Sequence, residues 1–521
     1  MAASWLKKAV FYEIYPQSFY DSNADGIGDI PGMIQKLGYI RDLGCNALWI
    51  NPWYDSPFQD AGYDVRDYKS IAPRYGTLED AKALFDAAHE MDIHVLIDLV
   101  PGHTSEEHSW FRRSAEAQEN EFSHRYIWTD NAFCRGDGMP FIGGEHPRDA
   151  TYIINFFKCQ PALNYGYRKI REPSWQQPIT AEAPTQTREA MKDIMRFWLG
   201  LGCDGFRVDM ADSLVKNDGE EKLATMEVWK DIIGSVRKEY PDCAMVSEWN
   251  NPQQALNCGF DMDFYLDWYG NGYNRLARYY DLDKQGNITE DRSYFKATSN
   301  ADIHGFLQDF LPKYEATADT GLWCFISGNH DTKRTSLNLN DTERRLFLAF
   351  VLTMPGAPFL YYGDEIGMAY RFLPTKEGGY HRTGSRTPMQ WSSGKNMGFS
   401  EAEADRLYLP TDPNPNAANV KEQEENPDSM LNHVRKLIAL RQSYEDLGNY
   451  SPFAVVSAEP GSRLFAYRRG NLLIAVNPGT ETLELPLSGA YAPIFTLGTP
   501  EIRKNMLTLG AQSFVVLKPN A

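Results

Sequence analysis

The sequence has no cationic run longer than two residues and no apolar stretch long enough to cross a bilayer. With 52 Lys plus Arg against 70 Asp plus Glu, a net charge of −18, it excludes a nucleic-acid binder, because neutralising phosphates takes a basic patch. The most apolar stretch, residues 346–362, is broken by Pro355, Gly356 and Pro358 and falls short of the ~20 apolar residues of a spanning helix. The start, Met1-Ala-Ala-Ser-Trp-Leu-Lys-Lys, runs into strand-like Val10 to Tyr15 without a basic region followed by an apolar leader, so a cytoplasmic protein with no membrane partner is expected. Cysteines are few: the seven (45, 134, 159, 203, 243, 258 and 324) are odd in number and form no CxxC pair. They signal free thiols in a reducing compartment, not a disulfide scaffold or a zinc site. There is also no P-loop, no Gly-x-Ser-x-Gly elbow and no third glycine after Gly26-x-Gly28 to complete a dinucleotide fingerprint.

What is present is apolar: 42% of the 521 residues are hydrophobic and 13% aromatic, enough for large cores and two to four domains. Strand-like runs alternate with helical periodicity. Val10–Tyr15 precedes Met33, Ile34, Leu37, Ile40 and Leu43 at helical spacing, and then come Ala47–Ile50, a helix opened by Thr77 and Asp80, and Val95–Val100. The rhythm breaks over residues 104–178, rich in Gly, Pro and aromatics. It resumes with a helix around Met191–Leu199 and the strands Gly205–Asp209, Ala244–Glu248, Leu322–Ile326 and Pro358–Tyr362. Repeated βα units imply parallel strands, in a doubly wound sheet or a (β/α)8 barrel. From about Ser451 short β runs separated by turns predict an antiparallel domain over 451–521.

Four carboxylates stand at or just beyond predicted strand ends: Asp98, Asp209, Glu248 and Asp331. In a barrel these ends form one rim, where catalytic groups converge. Any one of them alone reads as a cap or a turn; all four, each beside a polar or aromatic neighbour, point to chemistry. Glycoside hydrolysis needs one carboxyl protonated and another ionised. Arg207, two residues before Asp209 on one strand, faces the same way and is placed to hold it anionic.

Asp98-Leu-Val-Pro-Gly-His103, Gly205-Phe-Arg-Val-Asp209, Glu248 after an apolar strand and Asn329-His330-Asp331 resemble the four signature regions of glycoside hydrolase family 13, the α-amylase family. The resemblance spans nearly the whole chain. It implies an α/β fold: a (β/α)8 TIM barrel over 1–103 and 179–450, an inserted irregular domain over 104–178 after strand 3, and a C-terminal antiparallel β domain. It implies Asp209 as nucleophile, Glu248 as general acid/base and Asp331 as the third carboxylate, in a retaining mechanism with the first two ~5–5.5 Å apart. Tyr63, Asp98, His103, Arg207 and His330 would line the subsite for the transferred glycosyl unit.

Thr104–Phe111, Tyr362–Met368, Arg386-Thr-Pro-Met-Gln-Trp391 and Asp60-Ala-Gly-Tyr63 look like the oligo-1,6-glucosidase and α-glucosidase branch. There Asp60 and Arg382 would close the pocket around a terminal glucose. An exo-acting α-glucosidase is implied, acting on an α-glucoside or oligosaccharide as a monomer or homo-oligomer. The alternative is a transglycosylase or sugar isomerase of the same family, trehalose- or isomaltulose-synthase-like. A non-catalytic, amylase-like ectodomain is disfavoured, because those need an anchor and lack the carboxylates. Asp21-Ser-Asn23-Ala-Asp25-Gly-Ile27-Gly-Asp29 opens like an EF-hand loop, but Gly32 at the twelfth position cannot supply the closing carboxylate. It resembles the branch's Ca2+ loop, which implies Asp21, Asn23, Asp25, Asp29 and the Ile27 carbonyl as ligands; no organic cofactor is expected. Three departures stand out: Gly102 for the family's Asn, Ala162 for the Asp of the fifth region, and Met210 after the nucleophile, which reshapes the acceptor subsite and leaves linkage preference open.

Overall fold

The computed structural model describes residues 3–520. Eight parallel strands form the central sheet: β1 Phe11–Ile14, β2 Ala47–Ile50, β3 His94–Leu99, β4 Gly205–Val208, β5 Ala244–Ser247, β6 Met262–Phe264, β7 Leu322–Cys324 and β8 Phe359–Tyr361. Their spatial order is 7-6-5-4-3-2-1-8. A parallel bridge between Ile326 and Phe359 brings β7 to β8, with Phe359 N donating to Phe325 O (2.9 Å) and Ser327 N to Phe359 O (2.8 Å). The sheet thus closes into a TIM barrel. Its strands are almost wholly buried because helices cover the outer face and side chains fill the interior.

The helices that follow successive strands are α1 Ile30–Leu43, α2 Leu78–His89, α3 Glu182–Leu201, α4 Leu223–Val236, α5 Pro252–Asn257, α6 His304–Thr317, α7 Asp341–Thr353 and α8 Met430–Ser443. Side-chain caps satisfy the orphan amides at several starts. Thr77 and Asp80 form a reciprocal capping box on α2, as the sequence predicts, and Asn340 with Glu343 forms another on α7. Gly205 opens β4 at φ +151°, where a Cβ would lie 1.9 Å from Ala244 O. Only glycine lets β4 and β5 pair this closely.

Between β3 and α3 the chain carries one short helix, Ser109–Ser114, a hairpin of Phe141–Gly143 with Thr151–Ile153, and isolated bridges. Beyond the barrel lie β9 Phe453–Ser457, β10 Phe465–Arg469, β11 Leu472–Asn477, β12 Leu483–Pro486, β13 Tyr491–Leu497, β14 Pro500–Arg503, β15 Met506–Leu509 and β16 Ser513–Pro519. They form two antiparallel sheets, ordered 9-10-11-16-13 and 12-15-14, around a core that includes Leu473, Leu507, Leu509 and Leu517. Buried Arg469 ties this part to the barrel, donating to Thr353 O and Gly448 O. Among the described residues no helix is long and apolar enough to cross a membrane.

Candidate active site

The C-terminal ends of β1, β3, β4, β5 and β7 deliver Glu13, Asp98, Asp209, Glu248 and Asp331 to one rim. Beneath them the barrel interior is aromatic: Trp49 packs on Phe264 and Phe359 with ring centres 5.1 and 6.3 Å apart. Trp49 Nε1 donates to Asp98 Oδ2 (2.9 Å), and the Arg207 guanidinium lies 5.0 Å from the Trp49 ring. This floor holds Asp98 and Arg207 in place through Trp49.

Arg207 is the hub. Its Nη1 donates to Asp98 Oδ1 (2.8 Å) and Asp209 Oδ1 (3.0 Å), and its Nη2 lies 2.8 Å from Glu248 Oε2. One buried cation therefore faces three carboxylates. Burial raises the Asp209 carboxyl and the charge of Glu248 raises it further, against the pull of Arg207. The Asp209 carboxyl is thus disposed against a second negative charge beside it, and Arg207 is the group that offsets this. Met210 sits at φ +41°, a left-handed conformation costly for this side chain; the turn aims its N–H at Glu248 Oε2 (2.9 Å).

Asp331 behaves oppositely. Burial pushes its carboxyl up, but the neighbouring cations overcome this and hold it well below the usual range. Arg382 Nη1 and Arg386 Nη2 both reach Asp331 Oδ1, at 2.8 and 2.7 Å. Arg382 also pairs with Asp60, whose other oxygen accepts from Gln160 Nε2 (2.7 Å). The Asp60–Arg382 pair proposed from sequence is thus a closed, buried contact across the pocket. His103 Nε2 donates to Tyr63 O (3.1 Å), and burial lowers its pKa to about 4, so it is neutral at pH 7.

Together these groups border a cavity of about 340 Å3 whose lining includes Asp60, Tyr63, His103, Asp209, Glu248, Asp331 and Arg382. Asp98, Arg207 and His330 do not line it; they lie directly behind the wall, each about 1% exposed. The sequence reading missed much of the mouth. Phe156, Trp249, Trp268 and Tyr380 give it an aromatic rim, and Asp212 and Leu266 complete it. It also missed Glu13, Arg386 as an Asp331 partner, and Glu377, which accepts from Arg386 Nη1 (2.7 Å) and Tyr408 Oη (2.8 Å). A buried carboxylate inside the apolar run Val10–Tyr15 was the available signal for Glu13.

The profile of the family described as alpha amylase, catalytic domain, matches residues 13–449. The chain belongs to the α-amylase family. Trehalose synthase/amylase TreS of Mycolicibacterium smegmatis is 33% identical over 494 residues, 85% of this chain and 77% of that protein. An oligo-1,6-glucosidase of Heyndrickxia coagulans is 31% identical over 543 residues, 92% of this chain and 93% of its own. Among solved structures, an isomaltulose synthase of Erwinia rhapontici in complex with D-glucose aligns over 99% of both chains, with a TM-score of 0.80 and 26% identity.

The departures of this α-amylase-family chain have local reasons. A Cβ on Gly102 would lie 2.6 Å from Asn155 Nδ2 and 3.1 Å from Ser213 Oγ. Both neighbours are fixed by the buried ammonium of Lys216, which donates to Asn155 Oδ1 (2.7 Å) and Ser213 O (2.8 Å). Ala162 is fully buried and bridges to His103. In the loop over 21–29, Asp21 accepts from the amides of Asn23, Ala24 and Gly26, and Asp25 from that of Ile27. Asp29 is the N-cap of α1, accepting from Gly32 N as well as from Ser22. Among the described residues no group of three or more His, Cys, Asp or Glu surrounds a common point suited to a metal ion.

Proposed function

We propose that the protein transfers an α-glucosyl unit from the non-reducing end of a disaccharide or short oligosaccharide by a retaining route. Asp209 attacks the anomeric carbon, Glu248 protonates the departing oxygen and later deprotonates the acceptor, and Asp331 holds the sugar hydroxyls. The observation that carries this reading is the single Arg207 guanidinium shared by Asp209 and Glu248 at the wall of a small pocket. Such sharing keeps the two carboxyls close, in line with the ~5–5.5 Å of retaining enzymes and not the wider gap that admits an attacking water. The Asp60–Arg382 contact supports exo action, since it blocks extension of the chain beyond the bound glucose.

When water is the acceptor the protein is an exo-acting α-glucosidase. A second reading has equal standing: the released sugar attacks the glycosyl-enzyme and an isomer results. The rim of Phe156, Trp249, Trp268 and Tyr380 favours it, because apolar faces can retain the leaving sugar and screen the intermediate from water. The relatives divide in the same way between trehalose synthases and oligo-1,6-glucosidases.

The test is a time course of purified protein with maltose, isomaltose, trehalose, sucrose, nigerose and kojibiose, followed by proton NMR. Free glucose appearing first as the α-anomer supports hydrolysis with retention; a new disaccharide without matching loss of total disaccharide supports isomerisation. Turnover of none of them, or β-glucose formed first, overturns the proposal. A structural Ca2+ is a separate proposal. Asp21, Asn23, Asp25, Asp29 and the Ile27 carbonyl are hard oxygen donors of the kind Ca2+ takes, and would tie the loop to the start of α1. Ca2+ added after chelation should raise the melting temperature in the wild type and not in Asp25→Ala; no shift in the wild type removes the ion from the account.

A further inference from the structure

Behind the pocket wall lies a chain of polar contacts whose protons can be placed by elimination. Glu13 on β1 is fully buried. Its Oε1 lies 2.9 Å from His330 Nδ1, while its Oε2 has no partner. Asn51 Nδ2, a donor, is 3.2 Å from the same Nδ1 and 3.4 Å from Tyr63 Oη, while Asn51 Oδ1 has no partner. On the other side of the ring, Nε2 is 2.9 Å from Tyr63 Oη and 3.3 Å from Asp331 Oδ2. Tyr63 Oη is in turn 3.0 Å from Asp98 Oδ2 and accepts from Arg207 Nη1 (3.3 Å).

We propose that Glu13 is a positioning residue, a neutral carboxylic acid that donates to Nδ1 of His330 and so fixes the imidazole with its proton on Nε2. Tyr63 has one proton and two claimants, the Asp98 carboxylate and Nε2. Asp98 is paired with Arg207 and can only accept, so the phenol proton belongs there. Nε2 must then be a donor, and the carboxylate of Asp331, which also only accepts, confirms that direction. With the proton on Nε2, a neutral ring leaves Nδ1 as the acceptor for both Asn51 and Glu13, and Oε1 must carry hydrogen.

The alternatives fail at particular atoms. A proton on Nδ1 alone would face the Nε2 lone pair toward Asp331 and leave Tyr63 to choose between two acceptors. An imidazolium would leave Glu13 as a buried carboxylate with one oxygen unpartnered, a costly arrangement. Burial also pushes the Glu13 carboxyl up and the His330 imidazole down; the Asp331 carboxylate favours a charged ring, but Arg386, Arg207 and Arg382 oppose it and the net direction is down. Glu13 thereby acts through His330 on Tyr63 and Asp331, the two groups that face the cavity.

The direct experiment is long-range nitrogen–proton NMR of the full chain with 15N-labelled histidine, His330 being assigned among the 10 histidines by its loss in His330→Gln. The expected signature is a lone-pair Nδ1 and a protonated Nε2 at pH 7 to 8, where Asp98, raised by burial to about 6, is ionised. A protonated Nδ1, in either a neutral tautomer or an imidazolium, overturns the proposal whatever the enzyme's substrate proves to be. The kinetic arm rests on the function proposed above. Glu13→Gln keeps a donor and should stay within a few-fold of wild-type kcat, whereas Glu13→Leu should lose roughly 10–100-fold, the usual cost of removing a supporting partner of this kind. Equal kcat in the two folded variants contradicts the donor role.

Discussion

Replacing Arg382 with alanine tests the pocket most sharply, because two carboxylates, buried Asp60 and half-buried Asp331, lose the same partner. The guanidinium donates to Asp331 Oδ1 at 2.8 Å and pairs with Asp60. Each charge-assisted bond is worth about 1.5–3 kcal/mol, and the lower figure applies because neither partner is left alone. Asp331 keeps Arg386 at 2.7 Å, and Asp60 keeps Gln160 at 2.7 Å. The sum, about 3 kcal/mol, corresponds to a loss of roughly 150-fold in kcat/KM. Most of it should appear in KM, since Arg386 keeps Asp331 ionised and the Asp209–Glu248 pair is untouched. Initial rates on the disaccharide that the wild type turns over give both constants. Asp60→Ala/Arg382→Ala should be no worse than Arg382→Ala alone, because the cation and its partner leave together. A kcat/KM within about threefold of wild type, or full additivity in the double variant, refutes the reasoning.

Glu377→Ala should raise KM and shift products toward hydrolysis. Glu377 anchors the segment bearing Tyr380 and Arg382 through Arg386, Tyr408 and Tyr15, and because Arg386 keeps Asp331 its loss should destabilise the fold by about 1.5–3 kcal/mol; unchanged product ratio and melting temperature would show that the anchor does nothing. His433, on α8 and far in sequence from the catalytic carboxylates, is held by burial at a pKa of about 4. Between that value and the ordinary ~6.5 the unfolded chain binds the extra proton, so this residue costs stability as pH falls through the window, by up to about 3 kcal/mol. Urea unfolding at pH 7 and pH 5 should therefore show a smaller acid loss in His433→Gln than in the wild type, and equal losses would show that the imidazole is not buried neutral.

Strands recognised from sequence were those with long apolar runs, which is why β6 escaped: Met262-Asp-Phe264 is three residues with a carboxylate at its centre. Helix α6 carries Pro312 inside it, a residue that ordinarily ends a helical pattern. The carboxylates of the rim were legible because a barrel sends every strand end to one side, so position in a strand becomes position in space. Arg386 and Glu377 were not, since they lie in a loop without periodicity and their contacts gather Asp331 beyond β7, Tyr408 and, more than 350 residues away, Tyr15 after β1, which only closure of the barrel brings together. The rim aromatics were hidden for another reason: among 27 Phe, 29 Tyr and 12 Trp, most are core, and nothing local separates Trp268 from Trp198. Asp29 adds a contact that the spacing of its loop did not announce, the cap of α1 through Gly32 N.

The central claim is that Asp209 bonds covalently to the sugar. Incubation with 5-fluoro-α-D-glucosyl fluoride, which slows breakdown of the glycosyl-enzyme, followed by proteolysis and mass spectrometry, locates that bond. The account predicts one fluoroglucosyl group per chain, on the peptide containing Asp209, and none in Asp209→Ala. A label on Glu248 or Asp331, or no label with an inverted first product, contradicts it.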